Sequence, residues 1–144
     1  MPAPQTFKNH TRFYPPFHFV LMPLLLINLG FAITALVRHY PAHQHVFGWW
    51  IVMSVALMLL AFTARSTALA VQDRVIRLEE RIRLAGLGVP ASTIDSLTIR
   101  QFVGLRFASD GEAAMLAHRA VAEALTTKAI KDSITTWKPD YHRA

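Results

Sequence analysis

The sequence predicts an all-α membrane protein: a two-span transmembrane helical hairpin with a long second helix and a small C-terminal cytoplasmic helical domain. Three observations predict it. Residues 17–37 and 46–63 carry no Asp, Glu, Lys or Arg, and each stretch is long enough for a helix to cross a bilayer. Residues 49–85 contain neither Gly nor Pro, so the second stretch continues as helix past the membrane. All nine acidic residues lie at or beyond Asp73, so the first half of the chain is apolar and the second half is a charged helical tail.

Composition sets the limits. The chain has 144 residues, 53% hydrophobic and 17% charged, with mean hydropathy +0.30. Soluble domains carry about 25% charged residues, so this chain is charge-poor. Cysteine is absent, which excludes disulfides, thiolate nucleophiles, Cys-ligated zinc and iron–sulfur clusters. The net charge of +6 and pI of 10.3 point formally to nucleic acid. Basic residues beside apolar spans report instead on membrane orientation and anionic lipid, and we expect no nucleic-acid partner.

Residues 1–16 form an N-terminal cytoplasmic segment at the membrane interface. Lys8 and Arg12 are expected to anchor it to lipid, with Phe13 and Tyr14 at the interface and Pro15 and Pro16 opening a helix. The aromatic, proline-stiffened run 7–19 is either such an anchor or a docking segment. Residues 17–37 are the first span, about 31 Å of helix. It starts late, is long and lacks a small-x-small cleavage site, so it reads as a span and not as a signal peptide. Pro23 frees a carbonyl one turn earlier. Asn28, Ala32 and Ala35 share one small, weakly polar face, which predicts helix packing with Asn28 hydrogen-bonded across the pair and Ser54 as the polar residue of the other span.

Residues 38–45 are an outer linker broken by Pro41. Arg38 is its only Lys or Arg, against Lys8 and Arg12 before the first span and Arg65, Arg74, Arg77, Arg81 and Arg83 after the second. The positive-inside rule then places both termini in the cytoplasm. Residues 46–64 are the second span, with Trp49 and Trp50 suited to the interfacial belt.

Residues 65–85 extend this helix into the cytoplasm. Apolar residues recur at alternating spacings of three and four, with Val71, Val75, Leu78 and Ile82 as the larger members of a heptad seam flanked by Ala64, Ala68 and Ala85. We expect intrahelical pairs Asp73–Arg77 and Glu79–Arg83, and lipid contacts from Arg74 and Arg81. In a parallel dimer Arg74 would meet Glu79 of the partner helix. Two occupants of the seam stay open. The plainer is this chain's own tail, through Phe102, Leu105, Val121, Ile130 or Trp137; the other is a partner or a second copy.

Residues 86–144 read as a tail domain of short helices, too small for a large core and leaning on the 65–85 helix. Gly86 to Pro90 end the long helix. Thr98–Gln101 and Ser109–Glu112 match capping boxes. The second of these helices is expected to present Ala114, Ala117, Val121 and Ala124 on one face. A last helix over 128–137 is expected to carry Ile130, Ile134 and Trp137.

Chemical motifs are sparse. His39, His43 and His45 offer imidazoles in the outer linker, but Pro41 keeps them off one regular helix face, and a polar loop is the simpler reading. No histidine sits mid-span to hold a haem. Ser109 and Asp110 near His118 are explained by capping. Arg100, Arg106 and Arg119 read as surface. No P-loop, dinucleotide fingerprint or hydrolase triad is present, so we expect no catalytic residues, metal site or cofactor.

Four strings together resemble a known family: the run 7–19, Gln72 to Arg81, Arg106 to Asp110, and Ile130-Lys131 with Trp137 to Tyr141. The chain is similar over nearly all 144 residues to small bacterial two-transmembrane-helix membrane proteins classed as a domain of unknown function. The resemblance implies a bacterial inner-membrane location and brings no reaction, substrate or cofactor. The functional expectation is a non-enzymatic accessory or structural subunit of a larger inner-membrane assembly, respiratory or photosynthetic, held by lipid, by other membrane subunits or by self-association. The alternative is a homo-oligomeric small channel or transporter lined by Asn28, Thr34 and Ser54.

Overall fold

A computed structural model describes residues 14–140. Lys8 and Arg12, expected as anchors, lie outside these residues, as does most of the run 7–19. The described chain is helical, with no named strand. It divides into two compact units, and the break between Ala68 and Leu69 falls inside one long helix.

The first unit holds two apolar helical stretches. The first begins as a π-helix over Pro16–Leu21 and continues as α1, Met22–Arg38. Pro23 explains the change: it has no N–H to offer the carbonyl of Phe19, and the turn before it widens so that Met22 N–H reaches Phe17 O. The second is the start of α2, Gln44–Gly86. The linker is shorter than expected, because the helix resumes at Gln44 and takes His45 into its first turn. Contacts between the two helices run in opposite order along the chain. Phe17 meets Phe62 with ring centroids 6.2 Å apart, Phe31 meets Trp50 at 6.0 Å, and His39 stacks on Phe47 at 5.5 Å. Leu25, Ala32 and Ala35 are buried, at spacings that keep one α1 face inward.

In the second unit α2 ends in a Schellman turn. Val89 N–H bonds Leu84 O and Gly88 N–H bonds Ala85 O, with Gly88 at φ 80° where a side chain would be strained. Pro90 then blocks further helix. Four short helices follow: α3 Ala91–Ser96, α4 Ile99–Leu105, α5 Asp110–Ala122 and α6 Thr127–Asp132. Both capping boxes form. Gln101 N–H bonds Thr98 Oγ1 at 3.3 Å, and Thr98 N–H bonds Gln101 Oε1 at 2.9 Å; Ser109 N–H reaches Glu112 Oε1 at 3.4 Å.

Several expectations are corrected. The tail builds its core against α2 but not on the seam: Phe102, Leu105, Phe107, Leu116 and Ile130 are fully buried, together with Leu84 from α2. The inward face of α5 is Ala113, Leu116, Ala117 and Ala120, while Ala124 lies beyond the helix at φ 48°. The last helix stops at Asp132. Residues 133–138 run back beside 107–109, where Lys138 N–H bonds Phe107 O at 2.7 Å and Trp137 stacks on Phe107 at 4.6 Å. Ile134, Thr135 and Thr136 are β-branched, and the backbone and hydroxyl donors of Thr135 find a better acceptor outside a helix, as the site geometry below shows.

Candidate functional site

The tail helices take one face of α2 and leave the opposite one open. The buried α2 residues in this unit are Ile76, Glu80 and Leu84, four apart and therefore stacked on a single stripe. Half a turn around the helix, Val71 is 55% exposed, Val75 48%, Leu78 60% and Ile82 67%. The helix rotates 100° per residue, so the two stripes point in nearly opposite directions. Phe102, Leu105 and Ile130, suggested by sequence as cover for the seam, belong to the tail core instead.

Arg83 fixes which face turns inward. Its Nη1 donates to both oxygens of Glu80 at 3.0 and 3.1 Å, Nε to Asp110 Oδ1 at 2.7 Å, and Nη2 to Ala108 O at 2.6 Å. The pair expected with Glu79 is thereby replaced, because Arg83 is drawn into the junction of α2 and α5. The Asp73–Arg77 pair does not form either. Burial raises the Glu80 pKa above the ordinary carboxylate value, and Arg83 only partly offsets this. The Arg83 hydrogen bond and charge lower that of Asp110.

Glu112 closes the tail. Burial alone would raise its pKa, but hydrogen bonds from the Thr135 hydroxyl at 2.6 Å, Thr135 N–H, Thr136 N–H and Ser109 N–H outweigh it and hold the group at about 2. Arg106, read from sequence as surface, is buried against Asp140 at 3.3 Å, with its guanidinium 4.5 Å from the Phe107 ring centre. A cavity of about 250 Å³ lies beside it, lined by Ile76, Glu80, Arg106 and Lys138 among others. Its mixed charges favour no one ligand class.

On the open face, Leu78 and Ile99 floor a shallow groove of about 190 Å³ walled by Arg74, Arg77 and Arg81. Arg81 donates to Asp95 at 2.5 Å, whereas Arg74 and Glu79 enter no ion pair among the described residues.

In the first unit Asn28 Nδ2 donates to Ser54 Oγ at 2.7 Å, Trp50 Nε1 donates to Asn28 Oδ1 at 3.2 Å, and Ser54 Oγ donates to Trp50 O at 2.8 Å. Trp49 is exposed. Thr34 Oγ1 bonds Phe31 O at 2.9 Å. Arg65 lies over the rings of Tyr14 and Phe17, 5.7 and 5.9 Å from their centres. His39 and His43 rings sit 6.0 Å apart, and among the described residues no cluster of three metal-binding side chains occurs.

Two helices long and apolar enough to cross a membrane, followed by a helical tail, define the class: an all-α protein with two candidate spans. The chain belongs to the family of unknown function DUF6526, which matches residues 1–144. No curated protein and no solved structure matches it.

Proposed function

We propose that this chain is a non-enzymatic accessory or structural subunit of an assembly in the bacterial inner membrane, of respiratory or photosynthetic type. Pro16–Arg38 and the first part of α2 form a hairpin across the bilayer. The linker faces outward, and both termini, with the helical tail, lie in the cytoplasm.

One observation carries the reading. Apolar side chains such as Ile27, Val37, Leu59 and Leu60 on the two long helices stay exposed in the single chain. A core helix of a soluble domain would be covered by its neighbours, whereas lipid or another membrane protein supplies cover here. The distribution of Lys and Arg supports this orientation. The channel alternative is less well supported, because Asn28, Thr34 and Ser54 spend their hydrogen bonds inside the helix pair. Catalysis lacks a constellation among the described residues: the strongly shifted carboxylate, Glu112, is held by five structural donors.

Gentle detergent extraction of the native protein, followed by mass spectrometry, tests the role. Co-purification with other membrane subunits is the expected result; migration without any other protein contradicts it. Topology is tested separately. The chain has no cysteine, so His43→Cys supplies a single thiol. We expect an impermeant maleimide to label it from the outer side, and labelling only from the cytoplasm would overturn the orientation.

A further inference from the structure

We infer that the α2 face bearing Val71, Val75, Leu78 and Ile82 binds the same face of a second copy of this chain, parallel and in register. The pairing deepens the proposed function and takes from it only the common orientation of the two copies.

The spacing of the stripe is that of a two-stranded coiled coil. Val75 and Ile82 occupy a positions and Leu78 the d position between them, and β-branched a residues with Leu at d favour dimers. Ala68 and Ala85 continue the seam with small side chains that let two backbones come close. Among the described residues the chain's own domain covers the opposite stripe at Ile76, Glu80 and Leu84, and it touches the seam at its edge, where Ile99 lies beside Leu78.

Charge complementarity selects a second copy over another occupant. Arg74 stands at g and Glu79 at e, the two positions that meet across a parallel dimer. Glu79 would have Arg83 as its partner within the helix, but Arg83 is committed to Glu80, Asp110 and Ala108. The other g residue, Arg81, is held by Asp95. Arg74 and Glu79 make no ion pair among the described residues and can meet across the dimer, Glu79 from the rim of the cavity it shares with Arg106 and Lys138, and two-fold symmetry forms the pair twice. The groove over Leu78 and Ile99, walled by Arg74, Arg77 and Arg81, lies on the g side, where the partner's Glu79 would enter. The seam follows the second span in sequence, so two copies inserted alike carry it on the same side of the membrane.

The test uses the full chain in membranes, with Leu78→Cys as its only thiol. In a parallel, in-register dimer two d positions lie within disulfide reach, whereas residue 77, at a c position on the outer wall of the groove, lies off the seam and beyond that reach. We expect mild oxidation to give a disulfide dimer for Leu78→Cys, and at least tenfold more slowly for Arg77→Cys. Arg74→Glu and Glu79→Arg should each weaken the dimer roughly three- to tenfold, and combining them should restore it. Equal cross-linking at both positions, a cross-link to a protein of different mass, or no rescue by the double reversal overturns the inference. The inference stands or falls apart from the proposed function. A cross-linked dimer with no other subunit removes the accessory role and keeps the pairing. Co-purified subunits without a Leu78→Cys dimer do the reverse.

Discussion

Arg83 and Glu112 tie the tail together, each through several hydrogen bonds that need its charge. Glu112 accepts from the Thr135 and Ser109 hydroxyls and three backbone N–H groups while buried, so it must be ionised to satisfy them. Its folded pKa of about 2 lies below the ordinary 4.5. The sign follows: the stabilisation is fully present above 4.5 and is lost as pH falls towards 2. Glu80 is shifted upward, so its protonation favours the fold and cannot cause that loss. Glu112→Gln should cost about 2–3 kcal/mol at neutral pH and flatten the acid limb, read by urea unfolding of the tail at pH 7 and at pH 3. The capping role of Glu112 was legible in the Ser-Asp-Gly-Glu string. Its grip on Thr135 and Thr136 was not, because no local pattern announces a contact 23 residues away. The partners of Arg83 escape the sequence for a related reason: the i, i+4 acid Glu79 is a satisfactory local partner, and only the tertiary fold supplies better ones.

At the scale of elements, the long helix, its glycine stop and the starts of α4 and α5 were legible because each is written in local chemistry. Helix α3 was not anticipated. It has six residues, no side-chain cap, and only Ile94 buried, too little for a periodic signal. The last helix ends earlier than its pattern predicts: Ile130, Ile134 and Trp137 fit helical spacing, but Glu112 withdraws the donors that would extend it. Packing between α4 and α6 depends on Gly104. A Cβ there would lie 3.1 Å from Ile130 Cγ2 and 3.4 Å from Thr127 O. Ile130 is fully buried and the carbonyl belongs to the backbone, so neither yields easily. Gly104→Ala should therefore destabilise the tail by about 1–3 kcal/mol, measured as a lower thermal midpoint. The same change on an exposed helix would stabilise it, so the sign alone tests the packing.

For the whole molecule, the sequence separated an apolar half from a charged half and placed a heptad stripe beside the second apolar stretch. It did not tell which face of α2 the tail would choose. Both faces offered apolar residues, and the choice rests on Arg83 and Leu84 being drawn to α5 and the tail core. The central claim is that the tail packs on Ile76, Glu80 and Leu84 and leaves the Val71–Ile82 stripe for association. The most direct test is the double variant Val75→Glu and Leu78→Glu, inserted in membranes and followed by limited proteolysis of the tail alongside the oligomeric state. We expect a tail as protease-resistant as in the unaltered protein, with the oligomer lost. A tail that becomes protease-sensitive before association changes would mean that the stripe belongs to the internal core, and would contradict the claim.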